Sequence, residues 1–161
     1  CLEFYQDLSR PILFTLLPGS HEPITREAYR LADGGGMHAD WALLKLYQPV
    51  SATRVAGLVP RGAPETPPLQ VTMAGYSRDD GLGAGGEVLT YHPACRVTRW
   101  TDGAGESDCS AYKGASGGAV VRVSDSGQAE YTGVISRGNG ENVSIFVPVA
   151  DFRLSLNRAL R

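Results

Sequence analysis

The sequence predicts an all-β fold, a barrel or sandwich followed by a short C-terminal helix, and two observations carry that reading. Twenty glycines and ten prolines punctuate short β-prone runs along 161 residues, the texture of an all-β chain rather than of a helical or βαβ one. A proline-rich stretch then divides those runs into two groups.

The first group holds strands predicted at Pro11 to Leu17, Thr25 to Leu31 and Ala39 to Tyr47. Between Gly57 and Pro68, four prolines remove donors that a central strand needs, so this stretch reads as a linker. The second group runs through Leu69 to Tyr76, Glu87 to Tyr91, Cys95 to Trp100, Gly118 to Val123, Tyr131 to Ser136 and Val143 to Val147. After Val149, the residues Phe152, Leu154, Leu156 and Leu160 alternate with polar ones, Asp151 suits a first helical turn, and Arg158 and Arg161 suit a last one.

Composition narrows the function. With 42% hydrophobic residues the chain can fill a core. Its 15 basic and 17 acidic residues are interspersed and sum to −2, leaving no basic stripe for nucleic acid and no polybasic segment for a membrane surface. No apolar run approaches the roughly 20 residues of a membrane span, and the N-terminus lacks a signal-peptide pattern. No close Cys/His cluster has metal-ligand spacing, and no cofactor motif is present; Asp79 and Asp80 precede Gly81 in what reads as a hairpin turn. Cys95 and Cys109 flank a polar turn and are expected to form a disulfide. Such a loop of about 15 residues would contribute on the order of 3 kcal/mol and would mark an oxidising compartment. The alternative is a pair of buried thiols.

The sharpest chemical signal is Lys113-Gly114-Ala115-Ser116-Gly117-Gly118, a serine among glycines just before an apolar strand. A nucleophilic serine must project from a tight turn, and the N–H groups of Gly114 and Ser116 would converge on the oxygen that becomes negative in a tetrahedral intermediate. A plain glycine-serine turn is the competing explanation. Asp40, opening the apolar run Trp41 to Leu46, is the second signal. A carboxylate there must be paired, and it can hold a histidine's tautomer and stabilise the imidazolium that forms when the ring takes the serine proton.

In this order, the Asp40 and Ser116 stretches resemble the trypsin-like, chymotrypsin-fold serine peptidases, and within them bacterial members near the glutamyl endopeptidases. Val71 to Tyr76, Tyr131 to Gly138 and Phe146 to Val149 are similar to further family strands. The resemblance implies two antiparallel Greek-key barrels: a remainder of the N-terminal barrel over 1–57, a linker over 58–68, the nucleophile's barrel over 69–150 and a helix over 151–161. It implies a serine endopeptidase acting on protein or peptide substrates, secreted or periplasmic, without cofactor. The alternative is an inactive homologue that serves as a peptide-binding module.

The family's histidine lies in Thr-Ala-Ala-His-Cys, so Cys1 resembles the cysteine that follows it, and His21, His38 and His92 have no such context. A missing N-terminal segment or a separate chain is expected to carry the base. Ala115 replaces the aspartate that receives a new N-terminus in animal members, which speaks against activation by insertion, and Tyr112 replaces a cysteine. The resemblance puts Ser110 at the base of the specificity pocket, Ser136, Arg137, Gly138 and Ser144 on its walls, and Lys113 near its entrance. Without an acid there, cleavage after small or acidic residues is expected rather than after Lys or Arg.

Overall fold

The computed structural model describes residues 9–16, 22–61, 69–101, 103–111 and 113–161, and in it the apolar runs pair into two sheets. Cys1, Leu17, His21, Tyr112 and the linker residues 62–68 lie outside the described residues. The first sheet is antiparallel, with β1 (Ile12–Leu16), β2 (Ile24–Asp33) and β3 (Ala42–Leu46) side by side in that order. A 3₁₀ turn over Met37–Ala39 delivers the chain into β3.

The second sheet closes on itself. It runs β10 (Ser144–Pro148), β7 (Ala104–Ser107), β6 (Thr90–Thr101), β5 (Gln70–Gly75), β8 (Ala119–Val123) and β9 (Ala129–Gly138), and β9 pairs back to β10. Side chains alternate across a strand, so Val71 and Met73 point inward together and meet Val97, Val120, Ile135 and Phe146 in one core. Phe146 is fully buried, edge-on to Trp100 at 5.6 Å. A smaller cluster joins the sheets: Val147, Val149 and Phe152 of β10 and α1 (Val149–Ala159) pack with Trp41, which stacks on Phe152 at 5.4 Å.

The structure departs from the sequence expectation in three places. Glu87 to Tyr91 and Cys95 to Trp100 are not two strands: Thr90 onward is the single strand β6, while Glu87 and Val88 belong to the preceding turn. Pro93 survives inside it because Val71 pairs with Cys95 whereas Met73 pairs with His92, leaving Pro93 and Ala94 in a bulge that asks for no ladder donor. Ala94 accordingly has φ 56. Strand β7, Ala-Gly-Glu-Ser, carries no apolar alternation; Gly105 is there because a Cβ would sit 2.3 Å from the Phe146 ring. Inside the proline-rich stretch, β4 (Val59–Pro60) adds a short parallel edge to β9 at Glu130 and Tyr131. Glu130 is 5% exposed and holds this junction by pairing with Arg122 at 2.6 Å and Arg61 at 3.2 Å.

Cys95 and Cys109 are disulfide-bonded, with Cα atoms 5.2 Å apart and both residues buried. Beside the bridge, Asp108 accepts the Arg96 N–H at 2.7 Å and its guanidinium at 3.1 Å; the backbone bond chiefly holds its carboxyl below the ordinary value. Among the described residues no helix is long and apolar enough to cross a membrane.

Candidate active site

Ser116 sits in the turn that feeds β8. The Gly118 N–H donates to the Ala115 carbonyl at 2.9 Å and the Gly117 N–H to Ile135 at 2.8 Å, fixing the turn against β9. Gly114 has φ +97, and a Cβ there would lie 2.7 Å from the Tyr76 carbonyl and 2.8 Å from Arg78 Cγ, so both backbone conformation and space require glycine. Neither the Gly114 nor the Ser116 N–H donates to an acceptor among the described residues. Two amide donors are thus left on the Ser116 turn, as an oxyanion hole would require.

Asp40 reaches the same place from the other sheet, at the end of the 3₁₀ turn. Its Oδ2 accepts the Ser136 hydroxyl at 2.7 Å, and the Ser136 carbonyl accepts the Ser116 hydroxyl at 2.7 Å. Ser136, 5% exposed on β9, is therefore the connector between the two residues singled out in the sequence. The sequence reading gave it to the pocket wall; its side chain points instead to Asp40. Arg137 strengthens the junction by donating to the Met37 carbonyl at 3.3 Å.

Two openings flank Ser116. One is an apolar cleft of about 740 Å³ that includes Asp40, Trp41, Leu43, Leu44, Val134 and Phe152 among its lining residues. The other, about 450 Å³, is lined by Arg78, Lys113, Arg137, Gly138 and Asn139 among others, with no carboxylate among the described lining residues. Arg78 was not anticipated; it lies far from Ser116 in sequence and is brought in by the Arg78 N–H donating to the Lys113 carbonyl at 2.7 Å. Ser110 and Ser144 are not among the lining residues of either opening. Ser110 lines a neighbouring 260 Å³ cavity with Asp79 and His92. Ser144 is fully buried, accepting the Ala111 N–H at 3.0 Å and donating to the Cys109 carbonyl at 2.7 Å, so it braces the wall from behind.

Neither His38, exposed on the 3₁₀ turn, nor His92 lines the cleft that holds Asp40 and Ser116. His92 does lie within 4.8 Å of both cysteine sulfurs, but these are bonded to each other. Asp79 caps its own turn, its Oδ1 accepting the Gly81 and Gly83 N–H groups at 3.1 Å.

Tyr131 lines the apolar cleft, and burial pushes its phenol up to about 12. A phenol that holds its proton more tightly when folded stabilises the fold fully below the unfolded value near 10, and that contribution is lost as pH rises through the folded value. The unfolding free energy is expected to fall by about 2 kcal/mol more for the wild type than for Tyr131→Phe between about pH 10 and 12. Urea melts across that range check it; parallel curves would show that the phenol is not the cause.

Solved structures match this arrangement of closed barrel, open sheet and terminal helix. A Glu endopeptidase, determined in complex with MPD, aligns with a TM-score of 0.66 at 17% identity over 84% of this chain. The fold is chymotrypsin-like. A thermostable serine protease, AL20, from an extremophilic microorganism aligns with a TM-score of 0.63, also at 17% identity over 84% of this chain. The chain spans 64% of the Glu endopeptidase and 67% of AL20. No protein-family model and no curated protein matches the sequence. In the chymotrypsin-like frame, Asp40 comes from the open sheet and Ser116 from the closed barrel, and they meet through Ser136.

Proposed function

We propose that the chain is the nucleophile-bearing part of an extracytoplasmic serine endopeptidase. The observation that carries this reading is the chain of hydrogen bonds from Ser116 through Ser136 to Asp40, which sets a hydroxyl and a carboxylate beside one cleft. In this reading Ser116 attacks the peptide carbonyl, the Gly114 and Ser116 N–H groups hold the oxyanion, and Asp40 orients the histidine that carries the proton from nucleophile to leaving amine. That histidine would be supplied by a further segment or chain, and the apolar cleft that Asp40 and Ser116 share offers the space for its ring. The division into N-terminal barrel remainder, linker, nucleophile barrel and helix belongs to the same reading.

Arg78, Lys113 and Arg137, with no acid opposite them in the second cavity, favour an acidic side chain before the cleaved bond, and a small one is accommodated. The disulfide agrees with an oxidising compartment.

The test is capture by a fluorophosphonate, read as intact mass under denaturing conditions, with Ser116→Ala as control. An adduct that vanishes in Ser116→Ala supports the peptidase, whether on this chain alone or after addition of a chain that supplies the histidine. Failure of the folded protein to react in either state favours the second reading, a peptide-binding module. The observation on that side is the Ser116 hydroxyl, which donates to the Ser136 carbonyl rather than to an imidazole.

A further inference from the structure

We propose that His92 is a positioning residue for the specificity pocket, holding the pocket wall through the bare lone pair of its Nδ1. The proposal rests on reading the 450 Å³ cavity as the pocket for the side chain before the cleaved bond.

Residues 108–111 leave β7 and run as irregular chain toward the nucleophile's turn, so their buried backbone groups need partners outside a ladder. Side chains supply acceptors for the N–H groups of Cys109, Ser110 and Ala111, and the Ser110 side chain itself reaches a distant carbonyl. The Cys109 N–H donates to Ser107 Oγ at 3.4 Å, the Ala111 N–H to Ser144 Oγ at 3.0 Å, and the Ser110 hydroxyl to the Glu141 carbonyl at 2.5 Å. The Ser110 N–H donates to His92 Nδ1 at 3.0 Å. Of these acceptors only the imidazole changes its capacity with a proton. Nδ1 can accept only while unprotonated, which puts the neutral ring's hydrogen on Nε2.

A proton added to Nδ1 would turn two donors toward each other across 3.0 Å. The backbone on both sides is fixed, because His92 pairs with Met73 on β5 and precedes the bulge at Pro93, and the disulfide ties β6 to Cys109; the ring itself is exposed and can turn about its side-chain bonds. Whether the ring turns or stays, the Ser110 N–H loses its acceptor, and the segment through Ser110 and Ala111 loses one of the bonds that hold it. Ala111 lines the pocket, and the Ser110 hydroxyl anchors the wall to the 139–142 turn across from it. Among the described residues, the charged or titratable groups around the ring are Asp79 and the Tyr91 phenol in the shared 260 Å³ cavity, and the Arg96–Asp108 pair beside the disulfide. From the 139–142 turn, Glu141 presents its carbonyl to Ser110.

The test has a spectroscopic arm and a binding arm on the folded chain. Long-range proton–nitrogen NMR of the imidazole is expected to show Nδ1 unprotonated at neutral pH, and protonation of His92 is expected to move the Ser110 and Ala111 amide signals with it. Binding of an N-acetylated peptide ending in glutamate, followed by calorimetry, is expected to weaken about five- to tenfold as the ring is protonated, the size of one lost hydrogen bond. His92→Asn keeps an acceptor near the Nδ1 position but does not titrate, so it is expected to bind like the neutral wild type and to lack this acid loss, although its ligand titrates identically. His92→Leu, checked for its fold by near-UV circular dichroism, is expected to bind weakly at every pH. An Nδ1–H tautomer at neutral pH, or the same acid loss in His92→Asn as in wild type, overturns the role of His92 and leaves the peptidase reading standing. Failure of the wild type to bind the peptide at all overturns the pocket reading, and the proposal with it.

Discussion

Asp40→Asn is expected to slow fluorophosphonate capture of Ser116 by about 10⁴-fold in any assembly where the wild-type chain reacts. The carboxamide still presents an oxygen to the Ser136 hydroxyl, so the 2.7 Å bond that anchors the 3₁₀ turn to β9 has a partner and the fold is retained. What disappears is the negative charge and the second acceptor. An amide N–H₂ aimed at the imidazole selects the tautomer with its proton toward the serine, which cannot take the hydroxyl's proton, and no charge stabilises the imidazolium. Second-order labelling rates for wild type and variant at equal protein concentration, with matched thermal midpoints, give the comparison. A rate within tenfold of wild type would mean that Asp40 only ends a loop before a core strand.

Gly114→Ala is expected to lower the same rate by about 10²- to 10³-fold, the cost of losing one oxyanion donor. The cause is steric: the added Cβ would meet the Tyr76 carbonyl at 2.7 Å and Arg78 Cγ at 2.8 Å, at a φ of +97 that alanine rarely adopts. Arg78 can swing its side chain away, but a backbone carbonyl cannot, so the Lys113–Gly114 peptide must rotate and carry the Gly114 N–H away from Ser116. Gly117→Ala is the control, because a Cβ there meets nothing within 4 Å although its φ of +86 imposes a similar backbone penalty. Equal losses in the two variants would assign the effect to backbone strain alone and remove Gly114 from the oxyanion hole.

Much of the fold was legible in the chain. Hydrophobic alternation and the Gly and Pro breaks marked β1, β2, β3, β5, β8, β9 and β10 within a few residues, and the polar-apolar pattern after Val149 marked α1. The strands that escaped have local sequences that argue against strand. β7 is Ala-Gly-Glu-Ser and owes its place to the Phe146 ring lying over Gly105; β4 contains a proline and exists because Glu130 anchors Arg61 beside β9. β6 runs through a proline that only the bulge opposite β5 makes tolerable. In each case the deciding contact comes from a partner distant in sequence, which no local pattern encodes.

The same division holds at the candidate site. The sequence by itself determined the all-β fold, the glycine-framed Ser116, Asp40 ahead of an apolar strand and the expected Cys95–Cys109 pairing, because backbone permissiveness and alternation are properties of near neighbours. Only the tertiary structure decided that Ser136 turns from the pocket to Asp40, that Arg78 joins Lys113 and Arg137 beside Ser116, and that Ser144 braces a wall it does not line. Those outcomes depend on how a closed barrel and an open sheet face each other, and sheet register and closure are set by pairings between residues far apart along the chain.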